Sequence, residues 1–484
     1  MTPQNAVANG FTAPYDVIPF APVVSPLPWV QSLLWILAFG LTGLLLSIIA
    51  TRITGRKINP ITIYFTPWML VIALVESGIP HFLRIGERTW IYLSIGSACY
   101  GLGAIAILAV RSRRDASARS ARSYDYDDRR LSRYYAIGVV SLFAYLLLQM
   151  TKLLPEIHQI GGLSGIFSGG GSQLAIGRNQ IAASAASSSF TGGSFAIGIL
   201  GYILFIGTLT IFWAGYYVRS GRWGRALLPL LILCVYSLLS LDRSAFIYSV
   251  LLFTFSVIFH KKETRGGMSS RAKASLATVA VLFAAVVFIP IALRKPVDPS
   301  QPGIASPVSY FADGLGGFNT LILGDVPQPP PDPGYGRWTF HGAASLLQRL
   351  GVISGVSTSA NMFFVSVTTN RYQPNNVYSW LVYPLYDDGV TGLVLLGLAF
   401  GAATGWAFDL VLLRGRLRAL PMLSMLMVSS FMSVYALSLV SDVRYTFVAL
   451  SALLISPCVE TGVMREQERG ATYGVREASL RVSA

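Results

Sequence analysis

The chain has 484 residues, 53% of them apolar and only 12% charged, where soluble domains carry roughly 25% charged residues. With a mean hydropathy of +0.57, this excludes an ordinary soluble enzyme and a disordered or collagen-like chain. Lys and Arg number 37 against 22 Asp and Glu, a net charge of +15; in a soluble chain that excess would point to nucleic acid, so the placement of the charges decides its meaning.

The first basic residue is Arg52. With no positive n-region and a first apolar run longer than an h-region, no secretory signal is expected. Eleven apolar runs of about the length that crosses a bilayer as a helix follow, at about 28–50, 60–77, 89–110, 135–154, 195–218, 226–241, 245–260, 274–293, 389–413, 419–439 and 445–462. They are continuous rather than alternating, so a β-barrel is excluded. Only Asp242 and Arg243 separate the runs at 226–241 and 245–260. The expected fold is an all-α, polytopic membrane helix bundle.

Numbering the connecting loops alternately places 26 of the 37 Lys and Arg in one set. That set holds Arg52, Arg56 and Lys57, an Arg-rich loop at 111–133, Arg219, Arg222 and Arg225, the stretch Lys261 to Lys273, Arg414, Arg416 and Arg418, and the tail from Arg465. Basic loops stay cytoplasmic, so the N-terminus is expected outside and the C-terminus inside. The layout is then an outer N-terminal segment (1–27), eight spans over 28–293 with an outer loop at 155–194, a large outer loop (294–388), three spans over 389–462, and a cytoplasmic tail (463–484). The Arg-rich loop 111–133 reads as topogenic and facing anionic lipid, not nucleic acid.

The first long outer loop carries Glu156, His158, Gly161-Gly162-Leu163, Gly169-Gly170-Gly171 and Arg178. It lacks GK[ST] and a preceding strand, so it is no P-loop. The second long loop contains a Pro-rich hinge at 327–333, followed by an apolar pattern at 342–354 that predicts an amphipathic helix on the outer interface. Gly397, Gly401 and Gly405 repeat every four residues and predict a close helix-packing face. Asp388 is placed to cap that helix, leaving Asp387 the freer carboxylate. Cys99, Cys234 and Cys458 fall in apolar runs as packing residues, and no Cys/His spacing points to a metal centre. No internal repeat supports an inverted-repeat transporter.

Charged residues on the outer side are few, and Arg outnumbers Lys there. Arg grips phosphate through a planar fork, which suits a lipid-linked diphosphate at the outer leaflet; the plain alternative is snorkelling to headgroups. Candidate diphosphate ligands are Arg243, Arg178, Arg349, Arg294, Arg371 and Arg444. Candidate proton acceptors are His341, Asp387 and Asp242, drawn from a set that also includes His81, His158, Glu156, Asp388 and Asp442. His341 stands out because Arg337 and Arg349 flank it.

The run Asn376-Val377-Tyr378-Ser379, then Tyr386-Asp387-Asp388-Gly389-Val390-Thr391-Gly392 leading into the glycine-faced helix, resembles the late region of Wzy-type oligosaccharide repeat-unit polymerases. Gly161-Gly162-Leu163 in an earlier outer loop and the turn Leu241-Asp242-Arg243-Ser244 resemble two further features of that family, although Asp242 stands where a small residue is usual. The resemblance spans most of the chain in layout and about thirty residues in motif. It implies a GT-C-like membrane glycosyltransferase, free of metal and cofactor, that moves a growing glycan from undecaprenyl diphosphate onto a second lipid-linked repeat unit. A flippase and a chain-length regulator are the implied protein partners. An O-antigen ligase shares the donor and differs in acceptor. A polyprenyl-phosphate-sugar transferase would show paired acids in its first outer loop, where residues 78–88 offer only Glu87. A transporter or flippase would carry ionisable residues inside its spans.

Overall fold

The computed structural model describes residues 27–77, 84–114, 122–159, 162, 200–240, 244–260, 277–278, 281, 305–323, 339–349, 352–353, 365–366, 374–375, 379–435 and 443–464. The protein is a helical membrane protein. Helices α1 (Trp29–Thr54), α2 (Pro60–Glu76), α3 (Glu87–Arg114), α4 (Asp128–Gln159), α5 (Leu200–Arg219), α6 (Trp223–Ser240) and α7 (Ser244–Phe259) follow the first seven apolar runs. The run at 274–293 lies almost wholly outside the described residues. Among the described residues, six helices are long and apolar enough to cross a membrane, and four apolar helices are shorter.

The helix ends have local causes. Gly55 stops α1 in the left-handed region at φ 69°, its N–H donating to Thr51 O at 2.8 Å. Asn59 Oδ1 starts α2 by accepting from the Ile61 and Thr62 amides at 3.0 and 3.1 Å, with Pro60 at the first helical position. Asp127 Oδ1 does the same for the Arg129 and Arg130 amides at the start of α4. Helix α1 buries only a fifth of its span and shows Leu33, Leu34, Leu37, Leu41, Leu44 and Leu45 on its surface. Such a face suits lipid, not water.

The run at 389–413 is longer than expected. Helix α10 starts at Val382, and a π-helical turn, Asp409–Leu413, continues it. Non-helical angles at Asp388 (φ −140°) and Gly389 (φ 64°) kink it. Asp388 is therefore an exposed residue at a kink, not an N-cap, and Asp387 is the buried, bonded carboxylate. Helix α11 (Leu420–Phe431) and α12 (Val443–Val459) complete the bundle.

The segment 294–388 is only partly loop. Ala305–Leu323 forms α8, which packs on α2 and α3 and buries Leu315, Phe318 and Asn319. The expected helix at 342–354 is α9, shorter at His341–Arg349, and it is docked at its start: His341, Gly342 and Ala344 are buried while Leu347 is exposed. The Arg-rich loop contains strand β1 (Arg122–Tyr126), which pairs antiparallel with the last described strand, Glu460–Met464, in the register Tyr126↔Glu460. A second short ladder joins Val365–Ser366 to Pro374–Asn375.

The glycine face packs as expected. Gly397, Gly401 and Gly405 lie on Gly96, Tyr100 and Ala104 of α3, and a Cβ on Gly401 would strike the Tyr100 carbonyl. Gly103 lies equally close to the Leu398 carbonyl. The two backbones touch, so nothing flexible is available to yield. Gly401→Val is expected to destabilise the bundle by about 1–3 kcal/mol. Gly224→Ala, where a Cβ meets nothing within 4 Å, is expected to change stability by less than about 0.5 kcal/mol. Thermal midpoints of the purified protein in detergent separate the two; equal midpoints would contradict the seam.

Candidate functional site

One end of the bundle collects ion pairs. Asp409, with 3% of its side chain exposed, accepts from Arg414 at 2.7 Å and from Arg111 at 3.2 Å. Arg111 also covers the Trp406 ring at 5.7 Å. Asp128 takes both guanidinium nitrogens of Arg222 at 2.6 and 3.0 Å, and Arg418 pairs with Glu460 at 3.9 Å. Arg111, Asp128, Arg222, Arg414 and Arg418 belong to the loops expected in the cytoplasm, and Asp409 and Glu460 lie near the ends of the runs at 389–413 and 445–462 that lead into them.

The opposite end is built around α8 and the entry to α10. Asn319 Oδ1 accepts from the Gly86 amide and the Thr89 hydroxyl, both at 2.9 Å, while its Nδ2 donates to Arg84 O at 2.9 Å. Ser379 N–H donates to Gly314 O at 3.0 Å, and Trp380 N–H to Ser433 O at 3.1 Å. The buried indoles are anchored as well: Trp380 Nε1 donates to the Tyr64 hydroxyl at 3.1 Å and Trp68 Nε1 to the Ser433 hydroxyl at 2.9 Å. This framework fixes the first turns of α10 and so the position of Asp387.

Asp387 Oδ2 accepts the Thr339 amide at 2.7 Å. Thr339 leads into α9, whose first residue is His341, 7% exposed. A carboxylate at this helix entry is favoured by the helix dipole. Helix α9 rests on α12, and Arg444, on the first turn of α12, holds its guanidinium 5.6 Å from the Phe205 ring centre. Behind it lie edge-to-face contacts of Phe205 with Tyr445 (5.7 Å) and Tyr145 (5.2 Å), and Tyr248 lies 4.8 Å from Tyr445. A cavity lined by Tyr248, Leu252, Met425, Val428, Ser429 and Tyr445 has room for about one water molecule.

The structure thus brings Asp387, His341 and Arg444 to one end, linked through α9. Arg349 closes α9, with its side chain outside the described residues. Asp242, Arg243, Arg178, Arg294 and Arg371 also lie outside them. His158 is exposed at the end of α4. Sequence reasoning missed Asn319, because its segment read as loop, and Glu76, a buried carboxylate at the end of an apolar run. An acid inside a span was the available signal for Glu76.

Comparison of the chain with protein-family models, with curated proteins and with solved structures finds no match.

Asp387→Ala leaves the Thr339 amide without its acceptor and is expected to cost about 1–3 kcal/mol, whereas Asp388→Ala at the exposed kink is expected to change little. Protease resistance at α9, followed on the purified protein, reports the difference. Equal digestion of the two variants would show that Asp387 does not hold α9 in place.

Proposed function

We propose that the protein is a metal-independent membrane glycosyltransferase that polymerises undecaprenyl-diphosphate-linked oligosaccharide repeat units in surface polysaccharide synthesis. The reading places eleven spans and a GT-C-like arrangement in the bacterial inner membrane, with the Asp409 end in the cytoplasm and the Asp387 end outside. The observation that carries it is the convergence of a buried carboxylate, an imidazole and a guanidinium on one end of the bundle, with the ion-paired basic loops at the other.

The chemistry suits these groups. The acceptor hydroxyl oxygen forms a bond to the anomeric carbon of the donor glycan as the bond from that carbon to the diphosphate oxygen breaks. The electron pair leaves with the diphosphate, whose charge guanidinium groups stabilise. The hydroxyl proton passes to a carboxylate or imidazole, with Asp387, His341 and Asp242 in that role. Arg243, Arg178 and Arg349 contribute most to gripping the diphosphates, with Arg294, Arg371 and Arg444 beside them.

A deletion strain tests the reading by gel electrophoresis of its surface polysaccharide. A single repeat unit on the acceptor is the expected result. No repeat unit at all would indicate a ligase or flippase instead, and an unchanged ladder would sink the assignment. Alanine at Arg243, Arg178 and Arg349 is expected to abolish long chains at unchanged protein level; polymerisation by all three variants would move the diphosphate site elsewhere.

A further inference from the structure

Helices α4 and α6 pack on each other and begin at the same end of the bundle. Polar contacts tie their first turns together. Asp128, the first residue of α4, takes both guanidinium nitrogens of Arg222, the residue before α6. The Tyr135 hydroxyl of α4 donates to Arg225 O at 2.7 Å, and Arg225 Nη1 donates to the Ser132 hydroxyl at 2.8 Å. The Arg225 guanidinium also bonds the Tyr217 hydroxyl and lies 5.8 Å from the centre of that ring. These contacts fix Arg225 where α4 and α6 meet.

Charge at this junction is not balanced. The acids at the start of α4 each have an arginine already: Asp127 pairs with Arg130 at 3.3 Å and Asp128 with Arg222 at 2.6 Å. Arg225 is near enough to feel the Asp128 charge, but both Asp128 oxygens are taken. Arg129, Arg133 and Arg225 are exposed and make no ion pair among the described residues. Arg129 and Arg133 lie one turn apart on one face of α4, and Arg129 neighbours Ser132, the residue that holds Arg225. Along each helix the exposed surface then turns apolar within about one turn: Ile137, Val140 and Leu147 on α4, and Leu228, Leu231 and Val235 on α6. Helix α4 buries little of its span. A bare anion would meet the arginines and leave those stripes uncovered. An anionic phospholipid meets both, with its phosphate on the guanidinium forks and its acyl chains along the stripes.

We infer that the first turns of α4 and α6 form a binding site for an anionic glycerophospholipid. Arg225, Arg129 and Arg133 grip its phosphate, and the exposed faces of the two helices carry its acyl chains. The site lies at the ion-paired end of the bundle, away from the Asp387 cluster, and is independent of the polymerase reading.

The test is native mass spectrometry of the purified full-length protein in detergent, titrated separately with dioleoyl-phosphatidylglycerol and dioleoyl-phosphatidylcholine. The affinity of the first bound lipid is read. Phosphatidylglycerol is expected to bind more tightly than the zwitterionic lipid. Arg225→Gln and the double variant Arg129→Gln/Arg133→Gln are expected to weaken phosphatidylglycerol by about fivefold per arginine removed, and to leave phosphatidylcholine unchanged. The double variant removes no contact within the described residues, so the fold is kept whatever Arg225→Gln does to the junction. Arg52→Gln/Lys57→Gln removes two exposed cations at the end of α1 and is expected to leave the affinity as in wild type. Equal affinity for the two lipids would overturn the inference. So would an equal loss in the α1 variant, which would reduce the effect to the general pull of a basic surface.

Discussion

The contact of α3 with α10 is the constraint on which the rest of the molecule depends. In lipid there is little hydrophobic drive to press helices together, so close backbone approach and dispersion must hold them. Gly397, Gly401 and Gly405 allow that approach because each presents no side chain to the α3 backbone. Both ends of the seam are then determined. At one end Arg111 of α3 reaches Asp409 of α10; at the other the entry to α10 is pinned at Ser379 and Trp380. The position of Asp387 is a consequence of this packing, not of the chain around it alone.

Polar groups inside the bundle are handled in two ways. Several hydroxyls among the described residues return to their own helix: Thr42, Thr66, Ser249, Thr254, Thr404 and Ser430 each donate to the carbonyl four residues back at 2.7–2.8 Å. Others bridge helices, as Tyr100 does to Ser430 at 2.8 Å. Asp409 is compensated by two Arg residues, as a buried charge requires.

Hydropathy made most of the helices legible, and the four-residue glycine spacing made the α3–α10 seam legible, because both are repeating signals. Helix α8 was hidden. Its sequence carries Ser306, Asp313, three glycines and Asn319 among its apolar residues, and its burial comes from tertiary docking that no local pattern reports. The roles of Asp387 and Asp388 were reversed for a related reason. Gly389 takes a positive φ and lets the chain kink, so the helix begins at Val382, seven residues before the start at 389 that a cap at Asp388 implies. Asp387 then turns inward to an amide 48 residues away in sequence. His341 was singled out for its flanking Arg residues; its burial and its nearness to the Asp387-held turn depend on contacts across the loop.

The proposed function requires one sidedness: the Asp387 end must face outward and the Asp409 end the cytoplasm. Single cysteines in a protein stripped of Cys99, Cys234 and Cys458 measure this directly with a membrane-impermeant thiol reagent on intact spheroplasts. Phe340, 45% exposed beside His341, and Ser220, exposed beside Arg222, are suitable positions. Phe340→Cys is expected to be labelled from outside and Ser220→Cys only after permeabilisation. The reverse pattern would place the carboxylate, imidazole and guanidinium cluster in the cytoplasm and contradict it.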